Sequence, residues 1–126
     1  MKHYICKHCG NLVAMINDAG RNIGCCGMDM NEVVPESRVG DEKHAPHIRI
    51  KGDSALVSVG NEEHRHPQSR EHGIRWVCLV TDLGSHRRII GDEEEPTVEI
   101  PLDKDEKPIR AFAYCNLHGL RVTDCK

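Results

Sequence analysis

Cys6 and Cys9 in "YICKHCG", followed by Cys25 and Cys26 in "IGCCGM", constrain how the front of this chain can fold more than any other feature. Two thiolates separated by two residues can hold one ion, because the turn between them aims both sulfurs at a single point. The 15 residues between Cys9 and Cys25 are enough for a hairpin through "NDAG" to bring the second pair back to the first. The vicinal pair reaches the same ion only if the backbone turns sharply, and Gly24 and Gly27 on either side permit that turn. Four thiolates in a tetrahedron select Zn or Fe, and the spacing leaves the choice open. A plain zinc knuckle that only folds the front of the chain would use the same residues. His3 and His8 lie close by, but four sulfurs already close the shell, so both are expected on the surface.

Seven cysteines is an odd number. "MKHYICKHCG" has neither a long apolar h-region nor a small-residue cleavage site, which predicts a cytoplasmic protein whose thiols serve as metal or redox ligands rather than as a disulfide framework. No apolar run approaches the roughly 20 residues that cross a bilayer. A net charge of -3 and a sequence pI near 6.3 give no long-range attraction for nucleic acid or for an anionic membrane. With 126 residues and only 3% aromatics, the core has to be built from Val, Ile and Leu. Such a core is modest, and metal crosslinks would help it.

Composition changes across "PESRVG", at Pro35 to Gly40, which predicts a small metal-binding domain over 1–36 and a second domain over 37–126. In the second, "HIRIKG", "SALVSVG", "IRWVCLVT", "RRIIG", "TVEIPL" and "IRAFAYC" read as strands, the last of them ending at Cys115. "GDEEEP" and "DKDEKP" between them carry the Gly, Pro and charge of turns, and Glu93, Glu94 and Glu95 read as a solvated loop. No segment sustains a 3.6-residue apolar period. The expected fold class is therefore mainly β, with the second domain an antiparallel β-sandwich of immunoglobulin-like topology.

Nine histidines strengthen the case for metal. "DEKHAP" holds His44, "HPQSREHG" holds His66 and His72, and "CNLHG" holds Cys115 and His118. Each lies at the end of a strand-like run or on a loop, and loops at one end of a sandwich can converge although far apart in sequence. Pro67 restricts His66 to extended geometry. The short turn around Asn116, followed by Gly119, lets a thiolate and an imidazole approach one ion from different sides. His47, His64 and His86 are expected on the surface, Cys78 in a buried strand, and Cys125 as a free thiol.

"CKHCG", "CCGM", "EKHAP", "HPQSREH" and "CNLHGL" stand in the same order as the signature segments of desulfoferrodoxin, the two-iron form of superoxide reductase, and the resemblance spans almost the whole chain. It implies a desulforedoxin-like domain whose Fe(Cys)4 centre is held by Cys6, Cys9, Cys25 and Cys26, a site that could also take Zn. It implies a second iron with His44, His66, His72 and His118 around its equator and Cys115 on its axis. Glu42 matches the family's carboxylate that can occupy the sixth position when the iron is ferric, and Lys43 matches its lysine beside that position. The implied activity is one-electron reduction of superoxide to hydrogen peroxide, with electrons from a small donor such as rubredoxin, in a homodimer. The alternative is an electron carrier or metal-binding module without turnover. The chain departs from the family pattern at Gln68, Gly73 and Arg121, none of which is a ligand.

Overall fold

The computed structural model describes residues 1–35, 44–60 and 66–125. Among these there is no helix, and so none long and apolar enough to cross a membrane. The chain divides into two compact units, Met1–Val34 and Pro35–Lys126.

The first unit contains β1 (Lys2–Ile5), β2 (Leu12–Met15), β3 (Gly24–Cys25), β4 (Met28–Asp29) and β5 (Asn31–Glu32). β1 pairs antiparallel with β2 on one side and β5 on the other. The segment around "NDAG" does bring Cys25 and Cys26 back, but not as a hairpin, since β3 pairs with β4 rather than with β2. Among the described residues of this unit only His3 and Cys6 are buried. His3, expected on the surface, is 2% exposed, because it alternates with exposed Lys2 on β1 and so takes the covered face.

The second unit contains β6 (Pro46–Lys51), β7 (Ser54–Val59), β8 (Ile74–Thr81), β9 (Gly84–Ile89), β10 (Thr97–Pro101), β11 (Pro108–Cys115) and β12 (Gly119–Asp124). They form two antiparallel sheets, ordered β10-β7-β6 and β12-β11-β8-β9, the three-plus-four arrangement of an immunoglobulin-like sandwich. The sequence stopped one strand short: β12 follows Cys115 and pairs with β11 from Cys115↔Gly119 to Arg110↔Asp124. Arg121, 9% exposed, breaks the apolar alternation that would have marked this strand.

The core follows the period-2 pattern. Ala55, Val57 and Val59 from one sheet meet Val77, Leu79, Ala111 and Ala113 from the other, with Ile74, Ile90 and Ile100 at the margins. Small Ala side chains on β11 let the sheets approach closely without aromatic bulk, as the composition required. On the opposite face of the larger sheet Trp76 stacks on Tyr114, with centroids 5.5 Å apart, and the Arg87 guanidinium lies 4.1 Å over the indole, a cation–π contact. Cys78 is fully buried, as expected of a strand residue. Cys125 is half-buried, its amide donating to the Ile109 carbonyl.

The end of the sandwich where β8 turns into β9 is closed by a buried carboxylate. Glu106 accepts hydrogen bonds from Thr81 Oγ1 at 2.6 Å, His86 Nε2 at 2.8 Å and the Asp103 amide at 2.9 Å. His86 is therefore half-buried and engaged rather than a surface residue. The Thr81 hydroxyl, the Asp103 amide and His86 hold the Glu106 carboxyl down to about 2. A carboxylate with a lowered folded value stabilises above its unfolded range, near 4.3, and that contribution is lost as pH falls towards 2. Glu106→Gln is accordingly expected to lower the melting temperature by several degrees at pH 6, with the gap to wild type closing as pH approaches 2. Melting curves across pH check this, and a gap constant with pH would refute it.

Candidate metal centres

In the first unit the four sulfurs converge: all four Sγ atoms of Cys6, Cys9, Cys25 and Cys26 lie within 4.8 Å of one another. Cys9 Sγ is 3.6 Å from Cys25 Sγ, which is 3.9 Å from Cys26 Sγ. A tetrahedron with metal–sulfur bonds of about 2.3 Å has edges of about 3.8 Å, so the spacing suits one ion. The local fold explains the vicinal pair. Cys26 and Gly27 form the two-residue turn between β3 and β4, with φ of 53° and 74°, the left-handed pair that a tight hairpin turn of this kind requires. Gly24, which the sequence credited equally, does not adopt a positive φ. On the other side, the Cys6 amide donates to the Asn11 carbonyl and the Gly10 amide to the Cys6 carbonyl, both at 2.8 Å, which folds the Cys6–Cys9 turn.

Crowding four thiols shapes their acidity. Backbone amides, chiefly that of Cys9, draw the Cys6 thiol down to about 6, whereas the neighbouring sulfurs of Cys9 and Cys25 push Cys26 up to about 12. Cys25 is raised for the same reason. The Cys6 thiolate forms readily, while Cys25 and Cys26 resist until a cation neutralises the cluster, which is the chemistry of a metal site.

In the second unit three stretches meet at one end of the sandwich. His44 precedes β6, the segment from His66 to Gly73 leads into β8, and Cys115 and His118 lie on the turn from β11 to β12. Within the larger sheet, the pairing Cys115↔Ile74 sets the end of β11 beside the start of β8. The ligand atoms of His66, His72 and Cys115 all lie within 4.8 Å of one another. The imidazoles close a ring: His44 to His66 is 5.3 Å between centroids, His66 to His72 4.8 Å, His72 to His118 4.8 Å and His118 to His44 4.4 Å. The diagonal from His66 to His118 is 6.4 Å, close to that of a square.

The donor chemistry fits a metal. His66 Nδ1 lies 2.6 Å from the Pro67 carbonyl, which can only accept, so Nδ1 carries the proton and Nε2 presents a lone pair. His66 Nε2 and His72 Nε2 are both buried without a hydrogen-bond partner among the described residues, a costly state that an ion relieves. Burial pushes the His66 imidazolium down to about 4, which keeps the ring neutral. Cys115 is 2% exposed. The structure thus gathers Cys6, Cys9, Cys25 and Cys26 in the first unit and His44, His66, His72, Cys115 and His118 in the second, while Glu42, Lys43 and His64 lie outside the described residues.

Sequence reasoning assigned no role to the side chain that joins the ligand loops. Asn116 Oδ1 accepts from the Gly73 amide at 2.9 Å, and its Nδ2 donates to the Glu71 carbonyl at 2.9 Å. Its position between Cys115 and His118 was the available signal. Arg121, buried at the start of β12, donates to the His118 carbonyl at 2.5 Å and holds the far side of the same turn.

Comparison with known proteins agrees with this geometry. Residues 36–123 match the sequence model of the desulfoferrodoxin family. A desulfoferrodoxin homolog from Archaeoglobus fulgidus is 35% identical over 95% of this chain and 94% of its own length. The desulfoferrodoxin of Nitratidesulfovibrio vulgaris is 34% identical over 92% of this chain and 90% of its own. The crystal structure of the superoxide reductase from Treponema pallidum superposes with a TM-score of 0.80 at 28% identity, covering 98% of this chain and 96% of that one. With its two donor sets on an all-β framework, this chain belongs to the desulfoferrodoxin family.

Proposed function

We propose that this chain is a superoxide reductase, an oxidoreductase that takes superoxide to hydrogen peroxide, with iron held at both donor sets. The observation that carries the reading is the near-square of four imidazoles with the buried Cys115 thiol alongside. Four rings and one thiolate are five donors, one fewer than an octahedral ion takes, which leaves a position for substrate.

In this reading His44, His66, His72, His118 and Cys115 hold the reactive iron, and Cys6, Cys9, Cys25 and Cys26 hold the other as an accessory electron relay. Iron held by these five residues would supply the one electron that superoxide needs, with two protons from solvent completing hydrogen peroxide. Cys115 contributes negative charge and electron density, which favours giving an electron up. The neutral imidazole, the form to which burial holds His66, is the form that ligates. Glu42 is the carboxylate available to the ferric state. A small rubredoxin-like donor restores the reduced state, and the protein acts as a homodimer in the cytoplasm.

The ratio of peroxide formed to superoxide consumed tests this. One peroxide per superoxide supports reduction; one for every two would mean dismutation. Consumption of none would leave an electron carrier or metal-binding module instead.

Lys43 gives the reading a second test. Superoxide is an anion approaching a chain of net charge -3, so encounter depends on a local positive field. A unit charge about 6 Å from the anion contributes roughly 3 kcal/mol at an effective dielectric near 20, before salt screening. Lys43→Ala is therefore expected to slow the second-order reaction about tenfold, or ~1.4 kcal/mol, and to flatten its salt dependence with both irons bound. Glu42→Ala is expected to do neither. Stopped-flow mixing across a salt series decides it, and an unchanged rate and slope would reduce Lys43 to a surface residue.

A further inference from the structure

The connection from His66 to Gly73 carries two of the four imidazoles and belongs to no strand; among the described residues, side chains supply most of its hydrogen bonds. Ser69 Oγ donates to the His72 carbonyl at 3.2 Å and accepts from the His72 amide at 3.1 Å, which closes a small turn. Gln68 uses its whole amide. Its Oε1 accepts from the Ile74 amide at 2.8 Å, and its Nε2 donates to the Ile74 carbonyl at 2.8 Å and to the Gly91 carbonyl at 2.9 Å. Paired with one residue in both directions, that side chain acts as an extra peptide unit on the edge of β8. It fixes the residue two positions after His66 to the residue two positions after His72, and both to the connection that follows β9.

Gly73 is shaped to this contact. A Cβ there would lie 3.0 Å from Gln68 Oε1 and 2.9 Å from the Ser69 carbonyl oxygen, closer than such atoms pack. Any larger residue displaces either the Gln68 amide or the Ser69 peptide. The two departures from the family pattern are therefore one device, an amide in the space that a side chain at position 73 would need.

The buried ends of the rings show what the device is for. His66 Nε2 and His72 Nε2 have no hydrogen-bond partner among the described residues, so no hydrogen bond from these residues sets the direction of those ends. Beyond the Nδ1 bond of His66 to the Pro67 carbonyl, their aim comes from the backbone that carries them. From this we infer that Gln68, seated against Gly73, is a positioning residue that presets His66 and His72 before metal enters, an inference that rests on those rings being metal ligands as proposed above. Amide chemistry rather than bulk performs the task, because each of the three contacts is a hydrogen bond to backbone.

The test uses the full chain with Gln68→Met, which keeps size and loses all three bonds, Gln68→Glu, which keeps the acceptor and loses both donations, and Gly73→Ala. Three quantities are read: release of ferrous iron from the second centre to a chelator, the midpoint potential of that centre, and amide exchange at Ile74 in metal-free protein. Gln68→Met and Gly73→Ala are expected to speed iron release tenfold or more, to shift the potential and to remove Ile74 protection. Gln68→Glu should fall between them and wild type, and the first centre should keep its spectrum throughout. Wild-type release, potential and Ile74 protection in Gln68→Met would overturn the inference. If wild-type protein took no iron at His66 and His72, the proposed function would fall instead. Exchange at Ile74 would still judge the clamp, with equal protection in Gln68→Met and wild type counting against it.

Discussion

Cys26→Ser is expected to leave Met1–Val34 without a stable fold while Pro35–Lys126 keeps its own. A unit of this length lies below the roughly 40 residues at which a hydrophobic core alone suffices, and among its described residues only His3 and Cys6 are buried. What holds it is the convergence of four sulfurs, and metal binding to such a site supplies folding free energy on the order of 10 kcal/mol. Serine offers no thiolate at neutral pH, and position 26 is already in a left-handed conformation that has to be stabilised by its surroundings. Residue-resolved amide exchange should show loss of protection in β1 and β2 with β8 and β11 unchanged, and metal analysis should fall to one iron per chain. Superoxide consumption should persist within about twofold, since the proposed ligands of the second centre all lie in the other unit. Consumption lost with the second iron still bound would mean that the first centre takes part in the chemistry.

Cys115→Ser should have the larger effect on turnover. The side chain changes little in volume, and the pairing Cys115↔Gly119 that opens β12 uses only backbone, so the sandwich is expected to melt within a few degrees of wild type. The donor set, however, changes from four imidazoles and a thiolate to four imidazoles and a neutral hydroxyl. Without the anionic sulfur, the electron is held more tightly. The second-order rate with superoxide is expected to drop at least a hundredfold, about 2.7 kcal/mol, and the sulfur-to-iron absorption of that centre to disappear. Survival of both rate and absorption would remove Cys115 from the proposed ligand set.

Both candidate donor sets could be read in the sequence because their spacing is local or because their neighbours constrain them. Cys6 and Cys9 sit on one turn, Pro67 restrains His66, and Cys115 and His118 share a hairpin. The all-β class was equally legible, since period-2 runs such as "SALVSV" bury alternate residues on β7. What escaped depended on contacts distant in the chain. β12 was hidden because Arg121 interrupts its alternation, and only the fold shows that this guanidinium reaches the His118 carbonyl. The burial of His3 and the capture of His86 by Glu106, 20 residues away, are tertiary outcomes that composition does not encode. Gln68 and Gly73 stood out as departures from a pattern, but their contact becomes visible only when the loop is closed.

The two ends of β8 have separate occupations. Ile74 borders the imidazole ring, and Thr81 belongs to the Glu106 cluster. Seven residue steps of strand put roughly 24 Å between them, well beyond the 7–10 Å at which substitutions cease to influence one another. Changes that strengthen the Thr81 end should therefore combine additively with changes at the ligand end. The sandwich can in this way be made hardier without retuning its reactivity, and a library aimed at reactivity can be built on a reinforced background without screening every pair.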